Sequence, residues 1–189
     1  MEQNSLTEEQ ELLDAQIREL YGRVVYTHKT HLKCADMLEK RNDWIKIVQI
    51  GLSVVTTGSF IPSITGNAEW SPIIGLLASA ILLFINAYTK KYDLTGIAEK
   101  HRSAAANLWD IRETYLSLLT GLRFMEVPEV IKKRDDLQKK LGAIYKSCPP
   151  TNSAAYKAAQ EALKQNDELF FTDDELDHLL PISLRKRKE

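Results

Sequence analysis

The chain has 189 residues, room for one ordinary domain with connections to spare. Its 25 Lys+Arg nearly balance 26 Asp+Glu, for a formal net charge of -1, which argues against a general nucleic-acid binder, since such proteins are basic. Charged residues at 27%, with only 6 Pro and 8 Gly, argue against wholesale disorder. The two cysteines, Cys34 and Cys148, make no disulfide framework and suit a reducing compartment.

The charges are unevenly spread. Between Trp44 and Thr89 lie 46 residues with only two charges, Lys46 and Glu69. Four regions follow. Residues 1–43 form an N-terminal cytoplasmic helix, 44–89 a transmembrane hairpin, 90–182 a C-terminal cytoplasmic helical region, and 183–189 a basic tail. The expected fold is all-α: a two-transmembrane hairpin with long amphipathic cytoplasmic helices in a bundle or coiled coil.

The N-terminal arm reads as one amphipathic helix. Ser5 and Glu8 have capping-box spacing. Leu13, Ile17, Leu20, Val24, His28, His31, Ala35 and Leu38 then step by three or four. Asn42-Asp43 marks a junction with the first membrane helix, or the helix runs straight through. His28-x-x-His31-x-x-Cys34 is the most suggestive cluster for a metal. Its members drift by about 60° per step around a helix, so a helix interface is the better reading.

Two spans fit the hairpin, about 45–62 and 70–89. Each is close to the roughly 20 residues a helix needs to cross a bilayer. Pro62 is expected to end the first, Ser63 to Ala68 to make a tight turn, and Ser71-Pro72 to open the second. Lys40, Arg41 and Lys46 lie at the start of the first membrane helix, Lys90 and Lys91 at the end of the second, and the loop holds only Glu69. The positive-inside rule then places both termini in the cytoplasm, and Trp44, Trp70, Tyr88 and Tyr92 sit where aromatic belts form. The charged first 40 residues predict no secretory signal peptide. Two buried helices of a soluble bundle, or a single pass with one interfacial helix, are the competing arrangements.

Polar residues in the spans form stripes. Gln49, Ser53, Thr56 and Phe60 step 4, 3, 4 on the first helix, and Gly75, Ser79 and Asn86 share a face of the second. They serve either as helix–helix contacts, Gly75-x-x-x-Ser79 being a small-xxx-small pair, or as the lining of a water-filled path in an oligomer.

After the hairpin, Leu94, Ile97, His101, Ala104, Leu108, Ile111, Tyr115, Leu118 and Leu122 alternate strictly by three and four, the coiled-coil signature. This helix is expected to continue the second span without a break. Its partner is the N-terminal helix or the same helix of a neighbouring subunit. Pro128 interrupts, and Glu129 to Tyr145 forms a helix carrying Ile131, Leu137, Leu141 and Ile144. Cys148-Pro149-Pro150 is a break. A short helix from Ser153 to Gln165 carries Tyr156 and Leu163 on one side. Thr172 and Glu175 form a capping box for a final turn or two ending at Pro181. No phosphate loop, GxGxxG, GxSxG or HExxH motif is present, and no enzymatic role, cofactor or metal is expected.

The stretch Leu38 to Trp44 before the hairpin, then His101 to Glu113 and Tyr115 to Leu119 after it, carry a resemblance. So do Arg134 to Gln138, Ile144-Tyr145 and Leu179-Leu180-Pro181. The order of parts resembles the SLATT domains, two-transmembrane effectors associated with bacterial nucleotide-generating and nucleotide-sensing conflict systems. The resemblance spans roughly residues 20 to 182. It implies a homo-oligomeric effector in the bacterial inner membrane that forms a pore or perturbs the bilayer when a partner signals infection, arresting growth or killing the cell. The implied partner is a cyclic-oligonucleotide synthase, a nucleotide sensor or a reverse transcriptase, with no direct nucleic-acid binding. A phage-type holin and a non-conducting scaffold that recruits a cytoplasmic partner are the alternatives.

Overall fold

The computed structural model describes residues 7–65, 70–165, 168–169, 171–179 and 181. All regular structure among them is helical. α1 spans Glu8–Thr65, α2 Ser71–Lys91, α3 Leu94–Gly121, α4 Val127–Ser147, α5 Ser153–Lys164 and α6 Asp173–Leu179, with a 3-10 turn at Leu122–Phe124 before α4. The basic tail and the loop residues 66–68 lie outside the described residues.

α1 is the spine. It runs 58 residues without a break, about 87 Å at 1.5 Å per residue, from the charged arm through the first apolar span. Asn42-Asp43 is therefore no junction. Pro62 does not end α1, which continues to Thr65. A proline in the last turn has a φ that suits a helix and removes only one hydrogen bond, so the turn survives. At the other end Ser5 is outside the described residues. The capping box is formed instead by Thr7 and Gln10, whose side chains each bond the other's backbone N–H at 3.3 and 3.0 Å.

α2 and α3 are separate helices, not one. The chain breaks at Tyr92-Asp93, where the Asp93 carboxylate accepts the Gly96 N–H at 2.9 Å and caps α3. Gly96 is needed there, because a Cβ would overlap Asp93 Oδ2. Asp93→Ala is expected to lower bundle stability by about 1 kcal/mol, with Asp93→Asn retaining most of it. Thermal unfolding followed by circular dichroism checks this, and equal midpoints for wild type and Asp93→Ala would refute it.

The core lies in the charged region. α3 packs along α1, and Leu13, Ile17 and Val24 meet Leu108, Ile111, Tyr115, Leu118 and Leu122. The partner of the α3 repeat is thus α1 of the same chain. Eight of the nine repeat positions are buried. Ile97 is half-buried, and Ala98 takes the interior place beside it. α4 adds Val130, Leu137 and Leu141, while Ile131 faces outward. Pro128 does not interrupt. It sits in the first turn of α4, where its missing N–H costs nothing. α5 lays Ala155, Ala159 and Ala162 on α1, and its Leu163 is also buried. Tyr156 is not on this face. It is half-exposed and stacks on Tyr26 with ring centroids 6.0 Å apart. The Thr172–Glu175 box opens α6, with the Thr172 N–H donating to Glu175 Oε2 at 2.8 Å.

Candidate functional site: the hairpin and the histidine joint

The hairpin is inside out by the standard of a soluble protein. The seam between α1 and α2 is small and polar at its outer end and mixed further in: Ile45, Gln49, Leu52, Thr56 and Ser59 face Ser71, Gly75, Ala78, Leu82 and Ile85. Both sets alternate by three and four, so one continuous stripe of each helix meets the other. The large apolar side chains point away. Ile50, Val54, Ile61, Leu76, Leu83 and Phe84 are 65–75% exposed. In water such a surface would aggregate. Against lipid tails it is the expected exterior, because association there comes from close packing and interhelical hydrogen bonds.

Those contacts are specific. Near the outer end the Gly75 backbone lies against Ser59, and a Cβ on Gly75 would overlap Ser59 Oγ. Ser71 Oγ donates to the Ser59 carbonyl, and Ser59 Oγ to the Thr56 carbonyl at 2.8 Å. In the inner half Gln49 Nε2 donates to Asn86 Oδ1 at 2.7 Å. At the base Arg41 donates to Tyr88 Oη at 2.8 Å and lies over its ring.

The polar stripe divides between two faces. Gln49 and Thr56 lie in the seam, whereas Ser53 and Phe60 face outward, and Thr57 joins Ser53 there. Ser53 and Thr57 satisfy their hydroxyls on the carbonyls of Gln49 and Ser53, at 2.8 and 3.0 Å. On α2, Gly75 is buried, Ser79 is half-buried and bonded to the Gly75 carbonyl, and Asn86 meets Gln49.

Below the hairpin the bundle contains a buried histidine joint. His31 of α1 and His101 of α3 share a hydrogen bond, Nδ1 to Nδ1, at 2.8 Å. One ring must donate and the other accept, and with both rings neutral, as burial favours, they are of unlike tautomers. His28 is buried one turn away, and its Nδ1 has no hydrogen-bond partner among the described residues. Burial holds the His28 imidazole at about 4, helped by the nearby Arg112 and Lys29 charges. Burial and His101 hold His31 at about 4, and burial also lowers His101. Cys34 instead faces Asn152 at the start of α5, and burial raises its thiol. His31 thus meets His101 and Cys34 meets Asn152, so the side chains of the His28–Cys34 motif do not converge. Among the described residues no three metal-ligating side chains converge.

Ion pairs lock the joint from outside. Arg102 of α3 reaches Glu39 at 2.6 Å and Asp36 at 3.3 Å on α1, and that guanidinium holds the Glu39 carboxyl below the usual range. Lys29 and Lys33 clasp Glu168, just beyond α5. Histidines at interior positions of two heptad patterns were the available signal for the joint. Nothing local announced the Arg102 bridge.

A continuous spine, two outward-apolar spans and a charged helical bundle define a two-span helical membrane protein. Residues 13–175 match the family described as SMODS and SLOG-associating 2TM effector domain family 4, and the chain belongs to it. No curated protein and no solved structure matches the chain.

Proposed function

We propose that the protein is an oligomeric effector of the bacterial inner membrane that opens a leak when a partner signals infection, so that the cell stops growing or dies. Both termini lie in the cytoplasm on this reading, as the basic flanks Lys40, Arg41, Lys90 and Lys91 favour. The carrying observation is the hairpin with its apolar residues turned outward, joined rigidly through α1 to a cytoplasmic bundle. Two helices enclose no pore, so conduction requires several copies. α1 crosses from bundle to bilayer without a joint, while α2 meets α3 at the Asp93 break. A shift within the bundle is therefore transmitted to α1 as a tilt, with α2 free to pivot. The family description supports an effector associated with SMODS and SLOG proteins, so the partner is a nucleotide-generating or nucleotide-sensing protein.

The test is membrane potential. Expression of the protein with its activating partner is expected to depolarise cells, and a potential that stays intact in growth-arrested cells overturns the leak. Ser53→Leu/Thr57→Leu replaces the outward hydroxyls and is expected to reduce dye leakage from liposomes several-fold while leaving the hairpin seam intact. Undiminished leakage would place the path elsewhere.

A further inference from the structure

α3 and α4 leave a groove on the side of the bundle away from α1. One part of it holds about 340 Å³, lined by Leu118, Met125 and Leu137, with Ser117 on the α3 side and Lys133 and Lys140 on the α4 side. A second hollow of about 420 Å³ shares Thr114, Leu137 and Lys140 with it and extends the groove toward Asn107. Asp136, also on the α4 side, is offset by Lys139 at 3.9 Å, and Lys133 has Glu129 at 3.0 Å. Lys140 has no ion pair among the described residues. The groove is apolar within, with Lys140 the unpaired cation of its α4 edge among the described residues and Asp110 on the α3 side near Asn107.

α6 has the opposite character. Four of its seven residues, Asp173, Asp174, Glu175 and Asp177, are acidic. Its apolar side chains Leu176 and Leu179, and Phe171 just before it, are 41%, 73% and 62% exposed. Seven helical residues span about 10 Å, and the rim from Asn107 to Ser117 about 15 Å, so the lengths suit.

We propose that α6 of one copy docks in the α3–α4 groove of a second copy. The same chain cannot fill its own groove. Lys29 and Lys33 lie two residues either side of His31, hence on the face of α1 turned about 160° from α3, and they hold Glu168 there. Ser117 lies two residues beyond the buried Tyr115, so the groove is on the face of α3 turned away from α1. Crossing two packed helices takes about 20 Å. The Lys133 end of the groove is also displaced along the bundle, since Arg134 of α4 bonds Gln16 of α1, three to four turns from Lys29. The five steps from Glu168 to Asp173 reach at most about 17 Å. Two different surfaces meet in such a contact, so copies add head to tail and close into a ring or grow as a chain. The inference supplies the subunit contact that the leak reading requires, and it rests on that reading only for its purpose.

Disulfide trapping in membranes tests it, in full-length protein with Cys34→Ala and Cys148→Ser. One copy carries Leu176→Cys and a differently tagged copy carries Ser117→Cys. Oxidation is expected to give a mixed-tag dimer. Its yield should fall by about ten-fold with Lys133→Glu/Lys140→Glu in the groove copy and recover when the other copy carries Asp174→Lys/Asp177→Lys. Absence of the mixed dimer overturns the proposal. So does a disulfide formed within one chain carrying both cysteines. Val54→Cys on the lipid-facing side of α1 reports assembly independently. Val54 dimers without the mixed dimer would discard the docking and keep the assembly. A mixed dimer in cells that retain their potential would keep the docking and discard the leak.

Discussion

Acidification from about pH 7 to about pH 4.5 is expected to lower the thermal midpoint of the bundle by roughly 10 °C. His28 and His31 are held at about 4, against 6.5 for the free side chain. In that window the unfolded chain binds protons that the folded chain refuses. Stability is therefore complete above 6.5 and is lost as the pH falls toward 4, by about 3 kcal/mol for each fully shifted group. The surroundings offer no relief. The charges acting on His28 are the cations Arg112 and Lys29 together with His31, and the group acting on His31 is His101. Glu168 is clasped by Lys29 and Lys33, and Glu39 and Asp36 by Arg102, so these carboxylates are already engaged. Circular dichroism of the purified protein in detergent, melted across the pH range, measures the effect. A midpoint that does not move would show that the histidines are not buried as neutral rings.

The same pair yields to a mutant cycle. His31→Leu alone strands the His101 Nδ1 in the interior, at about 1–3 kcal/mol. His31→Leu/His101→Leu removes both polar groups at nearly constant volume and should recover much of that loss while flattening the pH dependence. Equal, additive losses from the two single changes would mean that the 2.8 Å contact contributes no coupling.

The sequence was legible where one period governs many residues. The α3 repeat persists over four heptads, and eight of its nine positions are buried as the pattern requires. The hairpin was legible for a different reason: two charges in 46 residues leave few alternatives. What escaped depended on single contacts. The α2–α3 break rests on one carboxylate, Asp93, bonding one N–H within a stretch that otherwise reads as helix. The membrane stripe divides between two faces of α1. Gln49, Leu52, Thr56 and Ser59 form the seam, while Ser53 and Phe60 turn outward. Polarity is a poor guide there, since Ser53 satisfies its hydroxyl on its own helix and gains nothing by facing α2. The smallness of Ser71, Gly75 and Ala78 on the partner decides which stripe fits. The histidine joint was half visible: heptad position predicts that His31 and His101 are interior. That they pair depends on the register of two helices separated by 70 residues of chain.

Gly75→Ile is expected to force the outer end of the hairpin apart. The Gly75 backbone is packed so closely on α1 that an added Cβ would overlap Ser59 Oγ and come within 3.3 Å of Ser59 Cβ and 3.7 Å of the Thr56 carbonyl. Ser59 is poorly placed to yield, since its hydroxyl bonds the Thr56 carbonyl and its own carbonyl accepts Ser71 Oγ. Gly75→Ala asks the Ser59 hydroxyl to rotate off the Thr56 carbonyl, so its effect should be smaller than that of Gly75→Ile. A branched side chain meets Cβ and backbone as well, and overpacking of this kind costs about 1–3 kcal/mol. In lipid that loss falls on the term that holds helices together, because apolar contact with lipid is no worse than apolar contact with a neighbour. Spin labels at Ile61→Cys and Ile73→Cys, both on exposed positions near the loop, should report a longer mean distance in Gly75→Ile. Ser59→Gly in the same chain should shorten it again by vacating the site. The bundle, closed by its own core more than a span away, should keep its pH-dependent melting unchanged. An unaltered label distance in Gly75→Ile would mean that the outer seam is looser than its contacts imply. A longer distance with undiminished depolarisation of cells would separate hairpin closure from the leak.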